Sequence, residues 1–139
     1  MKRTPLRKTN YHRYAMSDTY CLKMRRQAVI LYYGGHCFFC NETQGLTDHH
    51  IILRDNLVLR WDWRNGIPVC FHHHEYIQKA GQKPVFESGH FEFEQYLKER
   101  QKHSIHNICV QSGITQEEFM RDRIYDCLDV IEICMKGKK

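Results

Sequence analysis

The sequence lacks every feature that marks a membrane-spanning or exported segment. Its 139 residues hold no apolar run near the ~18 that a membrane helix needs. The N-terminal stretch is basic but has no apolar core, so no signal peptide is expected. There is no internal repeat and no low-complexity segment. Residues 1–13 contain no acid, while Lys2, Arg3, Arg7, Lys8 and Arg13 are all basic. Seven cysteines is an odd number, which fits a reducing cytoplasm better than a disulfide framework. What remains is a chain of ordinary domain size with 42% hydrophobic residues, enough for a packed core. Its net charge of +5 permits contact with nucleic acid without requiring it.

The chemistry concentrates between Gly34 and Tyr76, where six of the ten histidines lie. Two knuckles, Cys37-x-x-Cys40 and Cys70-x-x-His73, are separated by 29 residues. Zinc takes four thiolate or imidazole ligands in a tetrahedron, and two such knuckles supply them without strain. Cys37, Cys40, Cys70 and His73 are therefore expected to hold structural zinc. His72, His73 and His74 are adjacent, so any of the three could complete the site; His73 keeps the two-residue spacing. A redox Cys-x-x-Cys pair needs no second knuckle. Cys21, Cys109, Cys127 and Cys134 then read as buried small hydrophobes.

A second, open site is expected beside the first. With His73 on zinc, His74 lies about 100° further round a helix. Asp48-His49-His50 approaches from a strand, where neighbouring side chains face opposite ways and so serve different roles. One of the two histidines would ligate a divalent ion and the other act as a base. Such an ion keeps positions for water and a phosphate oxygen.

Taken together, Cys37-x-x-Cys40, Asp48-His49-His50-Ile51, Asn65 and Cys70-x-x-His73-His74 resemble the zinc-knuckle HNH endonucleases, over about a third of the chain. The resemblance implies an α+β fold: a small ββα-metal core with structural zinc, flanked by an N-terminal helix and C-terminal helices. It implies His50 as general base, His49 and His74 on a catalytic Mg2+ or Mn2+, and Asn65 holding the His50 loop through a backbone hydrogen bond. Asp48 is the alternative ligand, with His49 then the base. It implies hydrolysis of DNA phosphodiester bonds to 5′-phosphate and 3′-hydroxyl ends. Arg54 or Arg60 is a candidate phosphate clamp. Two departures are His73 where many members have Cys, and Gln78 where a further His stands four residues after His74. The helical tail is faintly similar to phage recombination endonucleases of the Rap (NinG) type, and the knuckle layout to endonuclease VII-like resolvases. A substrate of branched recombination DNA, in bacterial or phage-infected cytoplasm, is the corresponding expectation. A site-specific homing or restriction-like nuclease and a non-catalytic zinc module that grips nucleic acid are the rivals.

Three segments are expected: a basic arm (1–16) that could lie along the DNA backbone, the core with its leading helix (17–81), and a helical extension (82–139). Ser17 or Asp18 caps a helix to about Tyr33, with Tyr20, Met24, Ala28 and Leu31 as its apolar stripe and Lys23, Arg25 and Arg26 on other faces. A strand is expected over 46–53, a strand or loop over 57–63, and the metal-bearing helix over 71–80, ended by Gly81. Residues 82–89 read as a linker, 91–102 and 104–112 as helices. Thr115-Gln116-Glu117-Glu118 is a capping box opening the last helix. Its stripe of Met120, Ile124, Cys127, Leu128, Ile131, Cys134 and Met135 must be covered, by this chain first or by a second copy as a homodimer. No membrane contact is expected.

Overall fold

The computed structural model describes residues 17–137. The expected basic arm, with Tyr11 and Tyr14, lies outside the described residues. The architecture is α+β: helices around one two-stranded antiparallel sheet. No helix among the described residues is long and apolar enough to cross a membrane.

Helix α1 spans Asp18–Tyr32. Ser17 caps it, its hydroxyl accepting from the Tyr20 N–H at 3.1 Å. Gly34 and Gly35 end it in the left-handed region, at φ of 86° and 81°. The chain then enters the first knuckle. Strand β1, Thr47–His50, pairs antiparallel with β2, Gly66–Val69, setting His49 opposite Ile67 and His50 opposite Gly66. Between the strands lie a short helix α2, Leu57–Arg60, and a 3-10 turn, Trp63–Asn65. Helix α3, Phe71–Ala80, follows β2 directly. Helices α4 (Lys83–Glu87), α5 (Glu94–Arg100), α6 (Ile105–Ser112) and α7 (Gln116–Lys136) complete the order.

Four expectations change. The strand expected over 46–53 stops at His50, because the Asn65 side chain takes both backbone groups of Ile52 in place of a strand partner. Residues 57–63, expected as strand or loop, hold the helix Leu57–Arg60 and the start of the 3-10 turn Trp63–Asn65. Asn56 Oδ1 accepts from the Val58 N–H and Asp62 Oδ1 from the Arg64 N–H, and such local bonds draw the backbone out of a strand. The linker over 82–89 contains α4, with Pro84 in its first turn, where a missing N–H costs nothing. Its Val85 is fully buried. In α1 the buried face is Cys21, Met24, Arg25, Ala28 and Val29, so Arg25 points inward and not to solvent.

The α7 capping box is present, with Thr115 and Glu118 bonding each other's backbone N–H groups. Helix α7 packs along α1, and its first half is buried there through Phe119, Met120, Ile124 and Cys127. Leu128 and Ile131 are partly buried against the same core, while Met135 and Ile133 are exposed. One hydrophobic cluster joins α1, both β2 isoleucine and valine positions, Ile77, Leu97 and α7. Burying each such side chain contributes about 1.5–3 kcal/mol. Trp61 and Trp63 are core residues at 3% and 5% exposure, as packing and not surface stacking requires.

Candidate functional site

The first centre sits where the two knuckles meet. The Cys37 N–H donates to the Glu42 carbonyl at 2.9 Å, folding the first knuckle back on itself. Cys70 is the N-cap of α3 and His73 lies in its first turn. The ligand atoms of Cys37, Cys40, Cys70 and His73 all lie within 4.8 Å of one another. Cys40 and Cys70 sulfurs are 3.8 Å apart. His73 Nδ1 is 3.3 Å from Cys70 Sγ and 3.6 Å from Cys37 Sγ. A tetrahedron with bonds of about 2.3 Å to sulfur has sulfur–sulfur edges of about 3.8 Å. The cluster can therefore hold a metal ion such as zinc, and the thiolate-rich donor set suits zinc. The N–H of His73 lowers the Cys70 thiol pKa, and burial followed by the nearby His72 lowers that of His73. Those two directions favour the ligating forms; against the backbone of Glu42, burial and the Cys37 and Cys70 sulfurs push the Cys40 thiol up. Of the three adjacent histidines, His72 is exposed and His74 lies on another wall, so His73 is the one that joins the cysteines.

That other wall belongs to a cleft of ≈ 740 Å³, lined by Asp48, His49, His50, Arg54, His74 and Gln78 among others. Strand β1 supplies the first three and α3 the last two. Burial first, then the neighbouring charge of His74 and that of Arg25, pushes His49 down to about 4. Burial and the Arg25 guanidinium also hold His50 far below the usual histidine range, against the opposing pull of its bond to Arg60. His50 Nε2 lies 2.9 Å from the Arg60 carbonyl. A carbonyl only accepts, so Nε2 carries the hydrogen and Nδ1 keeps the lone pair. Arg60 is itself anchored. Its Nε and Nη2 each meet an Asp18 carboxylate oxygen at 2.6 Å, and Trp61 Nε1 donates to the same carboxylate at 2.7 Å. Arg60 is thus committed to α1, and of the two candidate phosphate clamps only Arg54 lines the cleft.

Asn65 is fully buried. Its Oδ1 accepts from the Ile52 N–H at 2.8 Å, while Nδ2 donates to the Ile52 carbonyl at 3.0 Å and the Leu59 carbonyl at 3.2 Å. The Ile51 N–H donates to the Asn65 carbonyl at 3.0 Å. The turn after His50 is therefore clamped from both sides.

Asp48 stands differently from the expected arrangement. Its carboxylate pairs with the buried Arg25, and its other oxygen faces Arg26 Nε at 3.5 Å. Among the described residues, the knuckle cluster is the one group of three or more His, Cys, Asp or Glu side chains whose ligand atoms converge; Asp48, His49 and His74 do not form another. His49 and His74 both line this cleft, and the charge of His74 reaches His49.

The residue that sequence reasoning missed is Arg25. Its Nε donates to the Asp62 carbonyl at 3.2 Å, Nη2 to the Asn65 carbonyl at 2.8 Å, and Nη1 to Asp48. A signal was present: Arg25 lies four residues after Cys21 and four before Val29, on the same helical face. Compared with known proteins, the chain matches no family model, no curated protein and no solved structure.

Proposed function

We propose that this protein is a metal-dependent DNA endonuclease of the HNH type, with His50 as its general base. The observation that carries the reading is the His50 ring, tied through Nε2–H to the Arg60 carbonyl on the wall of a cleft it shares with His49 and His74. That bond selects the tautomer with a free Nδ1, and burial keeps the ring neutral at neutral pH while making it a weaker base than an ordinary histidine.

The chemistry then runs on this chain's own groups. Nδ1 of neutral His50 takes a proton from water as its oxygen attacks phosphorus. The bond from phosphorus to the leaving oxygen breaks, and solvent returns a proton to that oxygen. His49 and His74 would hold a divalent cation, Mg2+ or Mn2+, which when bound stabilises charge on the phosphate oxygens. Asn65 keeps the His50 turn rigid so that the base does not drift from its line of attack. Arg54 lines the cleft and would meet a phosphate there. Cys37, Cys40, Cys70 and His73 would hold zinc, which when bound would tie α3, and hence His74, to the first knuckle.

The net charge of +5 supports a polyanionic substrate engaged mainly through its backbone. Branched recombination DNA of the phage type is the substrate this reading favours. The second reading, a zinc module that grips nucleic acid without cutting, finds support in the knuckle cluster but gives no use to His50, Asn65 and His74 together. The test is to incubate zinc-loaded protein with supercoiled, linear and four-way-junction DNA, with and without Mg2+ or Mn2+, beside His50→Ala. Cation-dependent cutting that the variant loses by about 100-fold or more supports the enzyme. Binding without cutting, or a variant that cuts at the wild-type rate, overturns it.

A further inference from the structure

We propose that Arg25 is a positioning residue of the cleft: it holds the Asp48 carboxylate away from cation coordination and so leaves a site of two imidazoles, His49 and His74. The proposal rests on reading the cleft as a cation site.

Arg25 is fully buried in α1, yet each nitrogen of its guanidinium makes a hydrogen bond. Nη1 takes Asp48 in β1, Nη2 takes the Asn65 carbonyl and Nε the Asp62 carbonyl. The guanidinium thus spans the strand that carries His49 and His50 and the turn that clamps the residues after them. It can lie there because position 66, opposite His50, has no side chain. A buried guanidinium deprived of its carboxylate is heavily penalised, so the pair resists separation. The second carboxylate oxygen is not free either, since Arg26 approaches it at 3.5 Å from the solvent side. Both oxygens that could ligate a cation face arginine.

Asp48 is the carboxylate adjacent to His49 and His50, and Asp55 is the other carboxylate that lines the cleft, so withdrawing Asp48 shifts the donor chemistry toward imidazole. Mg2+ prefers oxygen ligands and keeps its waters, whereas first-row transition ions accept imidazole, Ni2+ and Co2+ more strongly than Mn2+. The cleft is accordingly selective for Mn2+ over Mg2+, by virtue of an arginine that touches neither ion.

The experiment is a Mn2+ titration of the zinc-loaded full chain, read by the electron paramagnetic resonance signal of free Mn2+, with Mg2+ as competitor. Wild type binds one Mn2+ that Mg2+ displaces only in large excess. His74→Ala weakens Mn2+ binding by about tenfold or more, as loss of a ligand does. Asp48→Asn, whose amide oxygen still accepts from Arg25, stays within about threefold of wild type. Arg25→Met frees the carboxylate and tightens Mn2+ binding by about threefold or more, and adding Asp48→Asn cancels that gain. A tenfold loss in Asp48→Asn makes Asp48 a ligand and overturns the proposal, as does a folded Arg25→Met that gains nothing. If either single variant does not fold, since each alters the buried pair, the double variant decides: it buries no unpaired charge, and a tenfold loss of Mn2+ binding in it makes Asp48 a ligand and overturns the proposal. Wild type that binds no Mn2+ beyond its zinc, indistinguishable from His74→Ala, removes the cation reading of the cleft and this inference with it.

Discussion

A side chain at Gly66 has no room beside Arg25: a Cβ built there lies 2.6 Å from Arg25 Nη2 and 2.9 Å from Val29 Cγ2. The backbone of β2 thus approaches α1 at the position that pairs with His50. Helix α1 backs the strand pair that carries His49 and His50, although none of its own residues lines the cleft.

Gly66→Ala is therefore expected to lower stability by about 1–3 kcal/mol, the usual range for overpacking, because the obstacle is a guanidinium locked by three bonds. Urea denaturation of the zinc-loaded protein measures it. An unchanged midpoint would mean that the guanidinium yields freely, against the rigid placement described above.

Asn65→Ala leaves the Ile52 N–H without its partner inside the core. An orphaned buried donor costs about 1–3 kcal/mol, and two carbonyls lose a donor as well. The expected loss is at least about 2 kcal/mol. Asn65→Asp is not expected to rescue it, since a carboxylate would face the carbonyls of Ile52 and Leu59. Wild-type stability in either variant would contradict the clamp.

Removing zinc with a chelator, or replacing Cys37 by Ser, is expected to unfold the region around the hairpin. Structural zinc sites bind with about 10–16 kcal/mol, as much as the whole stability of a typical domain. Circular dichroism with metal analysis checks this. A folded, zinc-free Cys37→Ser protein would show that the cluster is dispensable.

The pH dependence follows from two depressed histidines. His49 falls to about 4 and His50 to about 3, chiefly through burial. Below the ordinary value of 6.5 the unfolded chain binds protons that the folded chain refuses. Their contribution to stability is thus fully present above 6.5 and shrinks as pH falls from there toward 4 and 3. By the same sign, His50 is already neutral at pH 6.5, so it places no acid limb there in the kcat/KM profile. A limb centred at 6.5 that disappears in His50→Ala would show a base with an ordinary, unburied pKa.

Much of the site was legible because its determinants are local. Knuckle spacing placed Cys37, Cys40, Cys70 and His73 on one centre. The Ser17 cap, the Thr115 capping box and Gly81 marked helix ends, since such bonds reach only three or four residues. Residues 57–63 read as strand or loop because Arg60 and Asp62 interrupt their apolar run, and the caps from Asn56 and Asp62 decide only once the turn closes. The linker hid α4 because a single buried Val85 is too short a pattern to see.

The amino-acid order alone determined where metal ligands can gather and where helices begin and end, because those choices are made between near neighbours along the chain. Only the tertiary structure decided that Arg25 lies inside and that Asp48 answers to it. The guanidinium finds its partners 23, 37 and 40 residues away, and a charge leaves water only when every such partner has been delivered to it.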